Sequence, residues 1–267
     1  MPVVDAQIHL WTGPGAPPHH HRAPFSAEDA IDAMRHAGVD RAVNCPAVWD
    51  PASVGYAAEA VRAHPGLFVT MPWFPLNGAD ESDLEQALAA PRIVGLRFVL
   101  ATPQESAALR AGGLEWLWTG AADRDLPVAV MVAPGDLPLL DDVVSRHPRL
   151  RVALDHLAVL PFDRLPTAAA HLDDLVALAR HPNVVVKATG VPSMATDDWP
   201  FPSTHDVLRR VYDAFGADRM FWGTDITRMQ CSWADCLAMF RDRLPWLRGR
   251  ARELVLGDAV TSWLSLP

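Results

Sequence analysis

The sequence predicts an α/β chain folded as a (β/α)8 (TIM) barrel. Three observations carry this: eight short apolar runs compatible with buried strands, segments of helical spacing between them, and a first run in which polar and apolar residues alternate. Parallel neighbours need a crossover connection, and eight units of about 30 residues each account for nearly all of the 267 residues. A doubly wound open sheet is the competing topology, but no glycine-rich phosphate loop follows the first run, where such a sheet would carry one. Pro and Gly are spread along the chain without a low-complexity stretch or charge block, so residues 1–267 read as a single domain.

The elements follow in order. The strand candidates lie near residues 3–11, 41–48, 67–74, 93–100, 127–133, 151–157, 183–189 and 219–225. In the first, Asp5, Gln7, His9 and Trp11 form one face and Val4, Ala6, Ile8 and Leu10 the other. The next segment has Ala27, Ala30, Ile31 and Met34 at helical spacing, with Ser26 and Asp29 as a start signal and Gly38 as a stop. Leu84, Ala87 and Leu88 repeat the helical spacing after the third run. Later runs end in polar residues: Arg97 late in the fourth, His156 late in the sixth, Asp225 at the end of the eighth. In a (β/α)8 barrel the carboxyl ends of the strands form the catalytic cup, so His9, Arg97, His156 and Asp225 would converge there.

Composition narrows the class. Half of the residues are apolar, enough for a large core, and the formal net charge of −9 with no clustered basic footprint argues against nucleic-acid or anionic-membrane partners. Cys45, Cys231 and Cys236 are odd in number and lack zinc-type spacing, which reads as free thiols rather than a disulfide framework. No apolar run reaches about 18 residues and no basic region opens the chain, so the expectation is a cytoplasmic protein. The apolar segment Leu114 to Trp118 could bury part of a subunit contact, which allows a homodimer.

The segments Asp5-Ala-Gln7-Ile-His9-Leu-Trp11, Gly95-Leu-Arg97, Leu154-Asp155-His156-Leu157, Val186-Lys187-Ala-Thr-Gly190 and Trp222-Gly-Thr-Asp225, in this order along nearly the whole chain, resemble the amidohydrolase superfamily. More narrowly they are similar to its branch of lactonases and related decarboxylases, including metal-independent 2-pyrone-4,6-dicarboxylate and sugar lactone hydrolases. Metal-dependent relatives carry His-x-His or Glu-x-His in the first strand, a His in the fifth and an Asp in the eighth. Here Gln7 stands at the first place, and the fifth strand, Val128-Ala-Val-Met131-Val-Ala-Pro134, has no His. A neutral amide is a poor zinc ligand. The resemblance therefore implies hydrolysis without a cofactor.

It further implies that Asp225 is the base on water, with His9, His156 and the Gln7 amide orienting the ester carbonyl and stabilising its growing charge. Arg97 would anchor a substrate carboxylate through its planar fork; a buried ion pair with Asp5 or another acid is the alternative. Trp73, with Trp11 and Trp199, falls where aromatic walls would hold a ring-shaped ligand, while Trp116 and Trp118 suit the core. Lys187 sits in a buried strand and should pair with an acid. His19, His20 and His21 form a tract that reads as solvated, on a loop able to cover the pocket. The expected activity is opening of a small carboxylated lactone or cyclic ester, with a small molecule as the partner. Its rivals are a cyclic amide or imide hydrolase and a decarboxylase that would hold a divalent metal such as zinc through His9, Asp225 and a substrate oxygen.

Overall fold

The computed structural model describes residues 2–22, 24–89 and 92–266. Eight strands run Val4–Ile8 (β1), Arg41–Asn44 (β2), Phe68–Thr70 (β3), Leu96–Leu100 (β4), Val128–Val132 (β5), Val152–Leu154 (β6), Val184–Ala188 (β7) and Met220–Trp222 (β8). Each lies inside the run that predicts it. All are shorter; His9, His156 and Asp225 fall in the loops that follow, while Arg97 and Lys187 stay inside β4 and β7.

The helix Ala27–Ala37 (α1) shows how local sequence sets an element. Ser26 caps it in a reciprocal box with Asp29, Gly38 ends it in the left-handed conformation, and Ala27, Ala30, Ile31, Met34 and Ala37 are its buried stripe. The helix Glu81–Leu88 (α2) is capped in the same way by Asp80 and Asp83 and buries Leu84. Pro103–Arg110 (α3) begins with Thr102, Pro103 and Glu105, a third capping box.

β1, β2 and β3 pair in parallel, as do β4 through β8. Two parallel bridges, Thr70 to Ile93 and Trp73 to Arg97, join β3 to the β4 segment. On the other side, the Asp225 N–H donates to the Gln7 carbonyl at 2.9 Å, and the buried Asp5 carboxylate accepts from the Thr224 N–H at 2.9 Å and its hydroxyl at 2.6 Å. β8 is thereby tied to β1, and the eight strands form one ring.

Alternation then sorts the side chains. Along β7, Val184, Val186 and Ala188 face the helices, while Val185 joins an inner cluster with Val43, Cys45, Val69, Met71, Ala129, Ala153 and Phe221. Ala259, Val260 and Leu264 near the C-terminus join that cluster. Further along the strands the inward positions turn polar: Gln7, His9, Arg97, Asp155, Lys187, Thr189 and Asp225 are all buried. The barrel thus has an apolar lower half and a polar upper half. Among the described residues, no helix is long and apolar enough to cross a membrane.

The β8 to β1 seam leaves no room at Gly223. A Cβ there would stand 2.5 Å from Thr189 Cγ2, 2.8 Å from Asp5 Oδ1 and 2.9 Å from the Ala6 nitrogen. We expect Gly223→Ala to lower unfolding stability by about 1–3 kcal/mol, the usual effect of overpacking. A urea titration checks this, and a variant as stable as the parent would show that the seam is looser than described.

Candidate active site

The polar upper half of the barrel opens into a cavity of about 170 Å3 whose walls include His9, His20, Arg97, His156, Asp225 and Arg228. Four of these six are residues that the sequence singles out. His9, His156 and Asp225 come from just past the ends of β1, β6 and β8, where the barrel places its cup, whereas Arg97 is the second residue of β4 rather than late in it and reaches the cavity with its side chain.

Two strand ends need a departure from extended backbone. A strand cannot aim two successive side chains inward, yet Asp155 and His156 both face the interior. His156, Leu157 and Ala158 adopt left-handed backbone with φ of 54°, 55° and 56°, which re-aims His156 toward the cavity. Asp225 does the same at the end of β8 with φ 49°. For non-glycine residues this costs about 1–2 kcal/mol each. The turn after Asp225 recovers part of that through the Arg228 N–H donating to the Asp225 carbonyl at 2.9 Å.

Asp225 sits at the centre. Its Oδ1 lies 3.3 Å from His9 Nε2, its Oδ2 lies 3.6 Å from His156 Nε2, and Arg228 Nη1 donates to Oδ2 at 3.2 Å. Burial alone would push the carboxyl up, but His9 and His156, which carry charge at the acid pH where this group would titrate, together with Arg228 outweigh burial and hold it well below the usual carboxylate range. The histidines move the other way. Burial, reinforced by Arg228, pushes His156 down to about 3, and burial lowers His9 despite the pull of Asp225. Both rings are neutral near pH 7, so each has one N–H to place. His9 uses its N–H at Nδ1, which donates to the Cys45 carbonyl at 2.5 Å and leaves Nε2 as a lone pair toward Asp225.

Arg97 is held by its Nε, which donates to Asp155 Oδ2 at 2.6 Å. The alternative ion pair is therefore real, with Asp155 rather than Asp5 as its acid. Nη2 reaches the Met131 sulfur at 3.6 Å, a weak acceptor, so the outer edge of the guanidinium still faces the cavity. Lys187 pairs with the other oxygen of the same carboxylate at 3.0 Å, as expected of a buried lysine. Burial opposes ionisation of Asp155, but Lys187 and Arg97 more than offset it and keep the group anionic. Arg97, Lys187 and Arg228 against Asp155 and Asp225 leave the buried cluster with an excess of one positive charge.

Trp73 is not part of this cavity. It lies three residues past the end of β3, half-buried, and borders a separate groove with Thr102, Pro103 and Glu105. Trp11 is fully buried behind the wall, 5.1 Å from the Trp49 ring, and Trp199 is 39 % exposed beneath the Arg243 guanidinium. Trp118 is buried in the core and Trp116 packs against it, as the sequence suggests.

The histidine tract corrects a second expectation. His21 is exposed, but His20 is buried in the cavity wall, with Nδ1 2.8 Å from Thr227 Oγ1 and its ring 4.4 Å from Trp49. The His21 N–H donates to the Thr227 carbonyl and Arg22 to the Cys231 carbonyl, both at 2.7 Å, so this loop is tied to the one after β8 and covers the pocket. Sequence reasoning also missed Arg228 and Thr189. The signal for Arg228 was its place three residues after Asp225 on the same turn.

The donor set suits a metal ion poorly. The lone pair of His156 Nε2 meets the Gln7 amide nitrogen at 3.2 Å, and the fifth-strand position is Met131. Of the described residues at the strand ends, His9 Nε2 and Asp225 are then the donors that remain, whereas zinc takes three or four protein ligands. Among the described residues, no group of three or more His, Cys, Asp or Glu could hold a metal ion.

The family model described as amidohydrolase matches residues 4–246. The chain belongs to the amidohydrolase family. This amidohydrolase is 28% identical, over 233 residues, to an L-fucono-1,5-lactonase of Burkholderia ambifaria, with 83% of this chain and 79% of that protein covered. Its fold is that of an amidohydrolase from Burkholderia multivorans with bound zinc, at TM-score 0.83, 19% identity and full coverage of both chains. A proposed 2-pyrone-4,6-dicarboxylic acid hydrolase of Pseudomonas putida shares the fold at TM-score 0.80 and 16% identity, covering 99% of this chain and 97% of that one.

Removing one partner from a buried ion network strands the others. Asp155→Ala should lower stability by about 3–5 kcal/mol, because Arg97 and Lys187 lose their shared counter-ion. Chemical denaturation measures it, and a loss below about 1 kcal/mol would mean that water or another acid takes over.

Proposed function

We propose that this amidohydrolase opens a small lactone by direct attack of water, with Asp225 as general base and without a metal ion. One observation carries the reading: Asp225 Oδ1 is buried in the cavity wall without a hydrogen-bond partner, and the charges around it favour the ionised form. A carboxylate oxygen in that state is placed to accept a proton from water. The similarity to an L-fucono-1,5-lactonase supports a cyclic ester as substrate. So does the volume of about 170 Å3, below the 300–1,000 Å3 of drug-sized sites and suited to one small ring.

The reaction then runs on this chain's own groups. Water loses a proton to Asp225 Oδ1 as its oxygen bonds to the lactone carbonyl carbon. The carbon–oxygen ring bond breaks from the tetrahedral intermediate, and the protonated Asp225 returns its proton to the departing alkoxide. The acid and alcohol of the opened ring are the products. The charge on the carbonyl oxygen needs donors, and here the geometry changes the expected roles. The one N–H of His9 is committed to Cys45, and the Gln7 amide nitrogen faces His156. The oxyanion role passes to the guanidinium groups of Arg97 and Arg228, which line the same cavity and carry the excess positive charge. The imidazoles position water instead.

Chelator-treated protein should open members of a panel of neutral and carboxylated lactones, read by proton release. Asp225→Asn should lower kcat by about 100-fold or more while leaving folding and substrate binding nearly intact. Silence that ends when zinc is restored would overturn the metal-free reading. Full activity in Asp225→Asn would remove Asp225 as the base.

The pH profile follows from the same charges. Asp225 is active when ionised and is held well below the usual carboxylate range, so activity is lost only as pH falls through that depressed value. His156 is pushed down to about 3 and stays neutral above it. For a neutral lactone, kcat/KM should be flat between about pH 5 and pH 8, with no inflection near the ordinary histidine value of about 6.5. A limb at that pH would show that a histidine must lose or gain a proton to work.

A further inference from the structure

Lys187 is a buried ammonium that the proposed mechanism does not use. Its Nζ lies 3.0 Å from Asp155 Oδ1 and 3.2 Å from Gln7 Oε1. An ammonium has donors and no acceptor, so the Gln7 atom that faces it must be the carbonyl oxygen. The other end of that amide, its NH2, then faces His156 Nε2 at 3.2 Å, where it can only donate. His156 Nε2 must present its lone pair. The single proton of the neutral ring is left on Nδ1, which donates to Thr189 Oγ1 at 2.7 Å.

The polarity of this chain matters because His156 Nε2 also lies 3.6 Å from Asp225 Oδ2. With its proton on Nε2, the imidazole would turn a donor toward the carboxylate and weaken it as a base. We infer that Lys187 is a positioning residue, which through the Gln7 amide holds the His156 proton on Nδ1 and so keeps that imidazole from donating to Asp225. The functional half of this inference rests on the reading of Asp225 as the base; the proton position does not.

The amide has a reason to keep this orientation. Turned over, it would set its NH2 against the Lys187 ammonium and leave two buried donors facing each other, at a cost of about 1–3 kcal/mol or more. The orientation is thus imposed from the side away from the cavity, on β7, and no bound ligand is needed to set it.

The test uses full-length protein labelled with [15N]histidine. Long-range 1H–15N correlation distinguishes a neutral ring protonated on Nδ1 from one protonated on Nε2, and the His156 signals are assigned by their loss in His156→Asn. The parent should show Nδ1–H. Gln7→Glu keeps an acceptor for Lys187 but replaces the donor opposite Nε2 with an acceptor, so a proton should appear on Nε2. Lys187→Met frees the amide and should shift the ring the same way. In both variants kcat for lactone opening should fall about tenfold or more, with KM changing less. If Lys187→Met does not fold, Gln7→Glu carries the test alone.

Nε2–H in the parent, or Nδ1–H retained in folded Gln7→Glu, overturns the inference. A shifted proton with unchanged kcat breaks the link from Lys187 to Asp225. Failure of Asp225 as the base is read separately, in Asp225→Asn.

Discussion

Asp155 holds the barrel mouth together. Its two carboxylate oxygens take Arg97 from β4 and Lys187 from β7, and Lys187 reaches on to Gln7 of β1. A buried guanidinium or ammonium costs several kcal/mol when left without a counter-ion, so neither could occupy these inward positions alone. One carboxylate on β6 therefore permits two cations, and three strands that do not adjoin β1 in sequence are cross-linked to it at the level of the site. Asp5 does comparable work at the seam, where burial pushes its carboxyl up to about 7 even though three donors from Gln7 and Thr224 converge on it.

Much of this was legible in the chain. Strand alternation is a local property and period-two spacing grouped Gln7 with His9, but an irregularity in β1 between Asp5 and Ile8 splits the apolar set, so that Val4 and Ala6 join the inner cluster and Ile8 and Leu10 the outer one. The capping boxes of α1, α2 and α3 are equally local, each written within four residues. Partner choice is not local. Arg97 could have met any buried acid, and only the pairing of β4 and β6 on either side of β5 brings it to Asp155, 58 positions away. The same limit hid the loop after β1, whose histidines look solvated until bonds to Thr227 and Cys231, more than 200 residues on, bring it over the cavity. Trp73 shows the converse error, since nearness to a strand end does not say which side of the loop a ring will occupy.

A barrel that presents carboxylates and imidazoles at its mouth must also govern their charge. Metal-dependent sites do so with a cation held by lone pairs, and the ion polarises the carbonyl as a Lewis acid. In the proposed reading this chain draws the positive charge from covalently fixed side chains, with three basic groups against two carboxylates. Guanidinium charge is permanent and its donors are directional, which suits an oxygen that becomes negative only in the transition state. An activated ester asks less of such donors than an amide would, and this agrees with a lactone as the proposed substrate.

The hydrogen-bond polarity of the site points the same way. Each imidazole has its proton drawn outward, His9 toward Cys45 and His156 toward Thr189, so both offer lone pairs to the region around Asp225. The side of the cavity formed by Asp225 and the two imidazoles favours a species that can donate, while the guanidinium side favours one that can accept. Water meets the first condition with two O–H groups and still offers its own lone pair to an electrophilic carbon. The arrangement follows from where the neighbouring carbonyl, hydroxyl and amide groups sit, on Cys45 just past β2, Thr189 just past β7 and Gln7 of β1. In the proposed reading, the nucleophile's position is thus a property of the barrel itself, while the choice of substrate is left to the loop that carries His20.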